Sequence, residues 1–254
     1  QGEVDLAVGN AVGSVTANLG LILGISLVCI PSAVKRAQFQ LKALLMVLGA
    51  GLLLVLSRGG VLRALPGTLL FTIFAVYLWS NLKDARTGMA KDREARPKRR
   101  TVSRRQMMEK LFLFVLGITA IVAGSQLLIN YGSELALLMG VPASIIGVTM
   151  VAVGTSLPEL VTTLTAIAKK ESSMSVGNII GANVIDLTMI LPVCSAVSGG
   201  ALTIGAQTTL LDMPACLLLC CAAVLPPLVT ERFYRWQGVL MLGLYAGYIA
   251  LLVT

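Results

Sequence analysis

The sequence predicts an all-α polytopic membrane protein built as an inverted repeat, and three observations carry that prediction. Its 254 residues are 56% hydrophobic and 13% charged, with a mean hydropathy of +0.87, too apolar for a water-soluble core. Eight apolar stretches have the length that crosses a hydrocarbon layer about 30 Å thick at about 1.5 Å per helical residue. Finally, VGNAVGSVTANLGLIL at Val8–Leu23 returns 168 positions later as VGNIIGANVIDLTMIL at Val176–Leu191. One membrane segment is present twice.

The spans follow in order. The first, 6–30, holds the first copy of the motif, and 41–57 and 65–82 are almost wholly apolar. Lys83 to Arg105 is rich in charge, contains Pro97 and has no apolar periodicity, so it reads as a solvated linker. Apolar runs resume at 108–130 and at 141–168, the latter interrupted by Pro158. The second motif copy occupies 174–197, and 208–229 and 235–253 complete the set.

A shift of 168 lays 41–57 on 209–225 and 65–82 on 233–250, so whole helices are duplicated. The organisation expected is a partial first repeat of three helices (1–82), a basic cytoplasmic linker (83–105) and a second repeat of five helices (106–254). An odd number of helices per unit places the two copies in opposite orientations. Such inverted repeats mark secondary transporters, with the substrate site near the midplane where the copies meet. The second motif has an upstream partner, Gly154-Thr155-Ser156-Leu157-Pro158-Glu159, and the first has none. The offset puts the missing partner before Gln1, and the chain has no initiator Met. The expectation is that two N-terminal helices of the same protein are absent and that they act as partners of the visible ones.

The net charge of +8 does not indicate nucleic acid, because ten of the twenty Lys and Arg lie between Lys83 and Arg105. If that segment is cytoplasmic, 18 basic residues fall inside, and Arg58 and Arg63 alone fall outside, in keeping with the positive-inside rule. Trp79, Tyr234 and Trp236 lie near span ends and read as interfacial anchors. Cys29, Cys194, Cys216, Cys220 and Cys221 lack metal-ligand spacing and the chain has no His, so they read as small buried hydrophobes. Asp212, before Met213-Pro214, reads as a helix N-cap at the outer interface.

Glu159 and Asp186 lie near the middle of their spans, with no Lys or Arg nearby in sequence. An acidic side chain at that depth usually faces a partner or a pathway. The absent base points to a mobile cation or a proton as the counter-charge. Pro158 cannot donate to the carbonyl of Gly154, so the helix is expected to break there and free carbonyls between Ala152 and Thr155. Thr155 and Glu159 share a helix face, with Thr162 and Thr163 continuing it. In the motif helices Asn178, Ala182 and Asp186, with Asn183 beside them, match Asn10, Ser14 and Asn18. These stripes offer carboxylate, amide and hydroxyl oxygens, the donor set of hard cations such as Ca²⁺. Asn10, Asn178, Thr162 and Thr163 taken singly are as well explained by hydrogen bonds between helices. Gly9, Gly13, Gly177 and Gly181 permit close helix approach.

Gly154–Glu159 followed by Gly177-Asn178-Ile179-Ile180-Gly181-Ala182-Asn183 resembles the second α-repeat of the cation/Ca²⁺ exchanger superfamily, most closely its prokaryotic Na⁺/Ca²⁺ exchanger branch. Gly9–Leu23 resembles the latter half of the first α-repeat. The resemblance implies an inverted-repeat exchanger fold of ten transmembrane helices, eight of them present here, in a prokaryotic inner (plasma) membrane. It implies antiport of Ca²⁺ against Na⁺ by alternating access, with the two ions and membrane lipid as partners, no cofactor and no enzymatic chemistry. Carried over by position, Glu159 is a central carboxylate between the Ca²⁺ and Na⁺ sites. Thr155, Ser156, Ser14, Asn18, Asn183 and Asp186 are further ligands, and Ala152 offers its carbonyl. The chain departs from the family pattern at Val15, where an Asn is usual, at Ala182, where Ser14 has a hydroxyl, and at Asp186, where Asn18 has an amide. K⁺-dependent and H⁺-coupled exchange therefore stay open as alternatives, with a cation channel behind them. An intramembrane aspartyl protease would need two Asp, one in a GxGD setting, and Asp186 follows Val184-Ile185 instead.

Overall fold

A computed structural model describes residues 2–31, 33–34, 36–95, 103–140, 146 and 152–253 of the chain. Helices α1 (Gly2–Ala17) and α2 (Gly24–Cys29) are joined without a break by a π-helical segment, Asn18–Leu23. Helix α3 (Arg36–Leu56), strand β1 (Val61–Arg63), α4 (Ala64–Ala95) and α5 (Arg104–Leu138) follow. The span predicted at 141–168 is described from Ala152 onward, its earlier part lying outside the described residues apart from Ile146. It consists of a short α6 (Ala152–Thr155) and α7 (Leu157–Ala168). Helix α8 (Ser172–Ile185) runs through a second π segment, Asp186–Ile190, into α9 (Leu191–Val197). Strand β2 (Ala201–Thr203), a third π segment (Thr208–Asp212), α10 (Met213–Thr230) and α11 (Arg235–Val253) complete the chain.

Among the described residues six helical rods are long and apolar enough to cross a membrane: Val8–Cys29, Phe39–Leu56, Ala64–Thr87, Arg104–Leu138, Met174–Val197 and Thr208–Thr230. Helix α7 is a shorter apolar helix, and α11 runs for 19 residues. The outside of the bundle is apolar, most plainly on α5, where Phe112, Phe114 and Leu135 are among many exposed large side chains. That is the surface a lipid environment requires, since lipid tails demand no polar face.

The repeat legible in the sequence is visible in the backbone. Asn18 and Asp186 open the first two π segments, and Cys29 and Val197 close the composite helices, each pair 168 positions apart. Strands β1 and β2 pair antiparallel, with Arg63 opposite Ala201. An isolated antiparallel bridge joins Ala33 to Arg232. Moved by 168 positions, that bridge becomes 201 against 64, one residue from the Arg63–Ala201 pair. These contacts also sort the loops: those around 33 and 232 meet at one end of the bundle, and those around 62 and 202 at the other.

The later π segments have a local cause. Pro192 and Pro214 each stand two residues past one, and a proline inside a helix removes an N–H and crowds the carbonyl four residues back. Widening the preceding turn relieves that crowding. In α10, Pro226 and Pro227 leave the carbonyls of Ala222 and Ala223 without their helical donors. The buried side chain of Gln237 on α11 supplies the replacement, donating through Nε2 to Ala222 at 2.8 Å and to Ala223 at 3.0 Å. The interrupted hydrogen-bond ladder of α10 is thereby satisfied from its neighbour.

Two expectations are corrected. The polar segment from Lys83 is helical as far as Ala95, so α4 carries its charge on a continuous rod, and 96–102 lies outside the described residues. Ala, Lys, Arg and Glu are strong helix formers and extend a helix once an apolar span has nucleated it. At the base of this extension Asp84 pairs with Lys42 at 3.4 Å. Asp212 is not an N-cap: it has helical backbone, makes no capping bond, and is 1% exposed. Helical winding already begins upstream of it, at Thr208. Among the cysteines, Cys216 and Cys220 are buried as expected, whereas Cys29 is exposed. Trp79 and Trp236 are exposed near their span ends, and Tyr234 stacks on Trp236.

Candidate ion-binding site

The two motif helices and the broken α6–α7 pair enclose a cavity of ≈ 310 Å³ lined by Asn10, Ala11, Ser14, Asn18, Thr155, Ser156, Glu159, Asp186 and Ile190. The break falls at Ser156, whose φ −91° and ψ 4° leave the helical region, with Pro158 in the first turn of α7. Pro158 has no N–H to give Gly154, and the chain responds by ending one helix and starting another. Glu159 then stands in the first turn of α7, where the unpaired N–H groups and the helix dipole favour a negative charge.

On the opposite wall, Asn18 and Asp186 each begin a π segment. A π turn rotates the side chains that follow and widens the helix, which is why such bulges recur where a helix must present a functional group. Asn18 donates from Nδ2 to Oδ1 of Asn183 at 3.0 Å, and this leaves its own Oδ1 buried with no hydrogen-bond partner. The Oγ of Ser156 is likewise buried and without a partner. Ser14 and Thr155 share a hydrogen bond of 2.8 Å between their hydroxyls, and Thr155 Oγ1 reaches Oδ1 of Asn10 at 3.2 Å.

Six of the eight residues singled out from sequence meet on this one cavity: Glu159, Asp186, Thr155, Ser156, Asn18 and Ser14. Ala152 and Asn183 stand outside its wall. The carbonyl of Ala152 accepts from the Ser156 N–H at 3.1 Å and from Thr155 Oγ1 at 3.1 Å, so the helix break is healed at that point. Asn183 is fully buried behind Asn18 and donates weakly to the Met46 sulfur. Thr162 and Thr163 do not act together: Thr162 donates to the carbonyl of Glu159 and accepts from Asn178, while buried Thr163 accepts from Ser175, which meets Ser26 at 3.0 Å. Asn10 is a wall residue that had stood equally for packing.

Among the described residues no Lys or Arg lines the cavity, and the one ion pair, Lys42–Asp84, lies elsewhere. Two carboxylates on one cavity inside an apolar bundle repel each other and cost heavily unless positive charge stands between them. Carboxylate, amide and hydroxyl oxygens converging from several helices suit a hard cation, which takes about six to eight such ligands.

The chain matches the sodium/calcium exchanger protein family over residues 1–83 and 109–254. It is 30% identical over 251 residues to the membrane protein MJ0091 of Methanocaldococcus jannaschii, covering 96% of this chain and 76% of that one. To the sodium/calcium exchanger MaX1 of Methanosarcina acetivorans it is 30% identical over 142 residues, 56% of this chain and 40% of the relative. The fold superposes on a solved structure of the sodium-calcium exchanger NCX_Mj with a TM-score of 0.77 and 27% identity, over 97% of this chain and 76% of that one.

Proposed function

The chain belongs to the sodium/calcium exchanger protein family, and on that premise we propose that it exchanges Ca²⁺ for Na⁺ across the membrane by alternating access. The cavity's oxygens are the ion ligands: the carboxylates of Glu159 and Asp186, the hydroxyls of Ser14, Thr155 and Ser156, and the amide oxygen of Asn18. The observation that carries this assignment is the pair of unpartnered buried oxygens, Asn18 Oδ1 and Ser156 Oγ, on residues that line the same cavity as both carboxylates. Buried polar atoms in native proteins are almost always satisfied, and a bound cation satisfies four such oxygens at once.

The same reading takes 1–82 and 106–254 as the two inverted repeats, joined through 83–105. It is supported by the π segments and helix ends that recur at one offset and by the exchanged bridge positions. Inverted repeats that meet at a shared site suit rocking between outward-open and inward-open states, and a channel needs no such duplication.

The test is ⁴⁵Ca²⁺ uptake into proteoliposomes loaded with Na⁺. Uptake is expected when Na⁺ is diluted outside, and none when Na⁺ is equal on both sides. Ca²⁺ entry without a counter-ion gradient would sink the antiport reading. Asp186 standing where the first motif has Asn18 adds a carboxylate to the site, so parallel assays with and without K⁺ separate simple from K⁺-dependent exchange.

A further inference from the structure

Asp212 is an acidic side chain buried in the interior of a membrane bundle, yet it is absent from the wall of the ion cavity. Its Oδ1 accepts from the Tyr248 hydroxyl at 3.0 Å, Thr208 and Gln207 are its other polar neighbours, its Oδ2 makes no hydrogen bond, and among the described residues no cation pairs with it. Such a placement is costly and usually functional. Among the described residues it belongs to no group of three or more His, Cys, Asp or Glu side chains. Its counterpart 168 positions earlier is Leu44, and that of Tyr248 is Ser80, so the pair belongs to one half of the molecule only.

What the pair controls is visible one turn back along α11. Tyr245 lies against Gly20 so closely that a Cβ added at Gly20 would come within 2.6 Å of the tyrosine Cβ. Gly20 sits inside the π segment that Asn18 opens. Further along the same crossing, a Cβ at Gly24 would lie 2.9 Å from Leu242, and one at Gly238 would lie 2.6 Å from the carbonyl of Gly24. Helix α11 is thus seated against the motif helix at backbone distance over this stretch, and small residues make that possible. A register fitted so tightly fixes both helices together, since either can slide only by breaking the fit. The Tyr245 and Tyr248 rings stand 6.3 Å apart, centroid to centroid. Asp212 and Gly20 therefore hold α11 through two tyrosines one turn apart, Tyr248 and Tyr245.

We infer that Asp212 and Tyr248 are positioning residues for ion binding: their hydrogen bond holds α11 in the register that keeps Asn18 Oδ1 directed at the cavity. This rests on the reading of Asn18 as a cation ligand, so the test measures that separately. The half-saturating Ca²⁺ concentration and maximum rate of Na⁺-driven flux are measured in proteoliposomes for Asn18→Ala, Tyr248→Phe, Asp212→Asn and the Asn18→Ala/Tyr248→Phe pair, with melting temperatures alongside.

Tyr248→Phe is expected to raise the half-saturating Ca²⁺ concentration about three- to tenfold, the worth of one buried hydrogen bond, with a smaller change in maximum rate. Asp212→Asn keeps an acceptor for Tyr248 and is expected to stay within about twofold of the parent on this measure. In the Asn18→Ala background Tyr248→Phe should add nothing further, because coupled residues are not additive. A full additional loss there, or a lowered melting temperature with unchanged Ca²⁺ dependence, would overturn the inference and leave the pair a purely structural bond. If Asn18→Ala itself bound Ca²⁺ normally, the ligand assignment would fail instead.

Discussion

Asn18 Nδ2 donates to Asn183 Oδ1 at 3.0 Å, and this bond joins the two copies of the motif at their crossing. Val15 occupies the position in the first copy that Asn183 has in the second, so the bond has no mirror image. If Asn18 is a cation ligand as proposed, Asn183 acts through it, holding the amide nitrogen and leaving Oδ1 free. Replacing Asn183 with Leu is expected to let the Asn18 amide turn and to raise the half-saturating Ca²⁺ concentration about tenfold. Flux titrations against external Ca²⁺ measure this, and an unaltered curve would remove Asn183 from any part in binding.

Glu159 stands on the first turn of the helix that begins at the break, and it faces the cavity. Glu159→Gln keeps its volume and hydrogen bonding while deleting the charge. Na⁺-driven ⁴⁵Ca²⁺ uptake should fall more than about tenfold, since charge-assisted contacts are roughly twice as strong as neutral ones and several ligands act together here. Normal uptake by a well-folded variant would refute the site assignment.

The loop contacts and the charge asymmetry make a joint prediction about sidedness. The loop around Gly200 pairs with that around Gly60, and the base of the α4 extension pairs with Lys42 at the other end. In a cysteine-free background, a Gly200→Cys variant should react with an impermeant maleimide on intact cells, and Thr87→Cys should be protected. The opposite labelling pattern would invert the orientation.

Gln237 offers a test of fold rather than site. Gln237→Met removes both donors to Ala222 and Ala223 while nearly preserving volume, and it leaves two carbonyls unsatisfied within the bundle. A loss of about 2–4 kcal/mol is expected from two hydrogen bonds of this kind, read as a lower melting temperature in detergent with Ca²⁺ affinity retained. A melting temperature equal to that of the parent would mean that lipid or water satisfies the two carbonyls unaided.

How far the sequence reached depended on whether a signal was local. Glu159 and Asp186 stood out because charge is rare in an apolar run, and the repeat was visible because Val8–Leu23 and Val176–Leu191 keep their spacing. Asp212 was misread because Met213-Pro214 looks like a helix start. The winding that begins at Thr208 depends on a π turn, and hydropathy cannot show one. The role of Gln237 was equally hidden, since the carbonyls it serves lie fourteen and fifteen residues away. Burial of Ala152 O by Thr155 and Ser156 likewise depends on how a broken helix resettles, which a Pro158 alone does not dictate.

Asp186 is where the second motif departs most from the first, and exchanging it for Asn restores the residue that Asn18 represents. The cavity would keep its shape, because Asp and Asn differ little in size, but would hold one carboxylate instead of two. A divalent ion loses more attraction than a monovalent one when a negative ligand is removed, since the Coulomb term scales with ion charge. Asp186→Asn should therefore weaken Ca²⁺ binding more than Na⁺ binding while retaining some exchange. Protons compete with cations for carboxylate oxygens, so exchange by the parent should decline as pH is lowered. With one fewer carboxylate, the variant's decline should be shallower. Measuring Na⁺-driven Ca²⁺ flux in both proteins across the acidic and neutral range tests this together with the selectivity. An identical pH profile would place the proton-sensitive group at Glu159 alone, and an equal loss for both ions would show that Asp186 acts through geometry and not through charge.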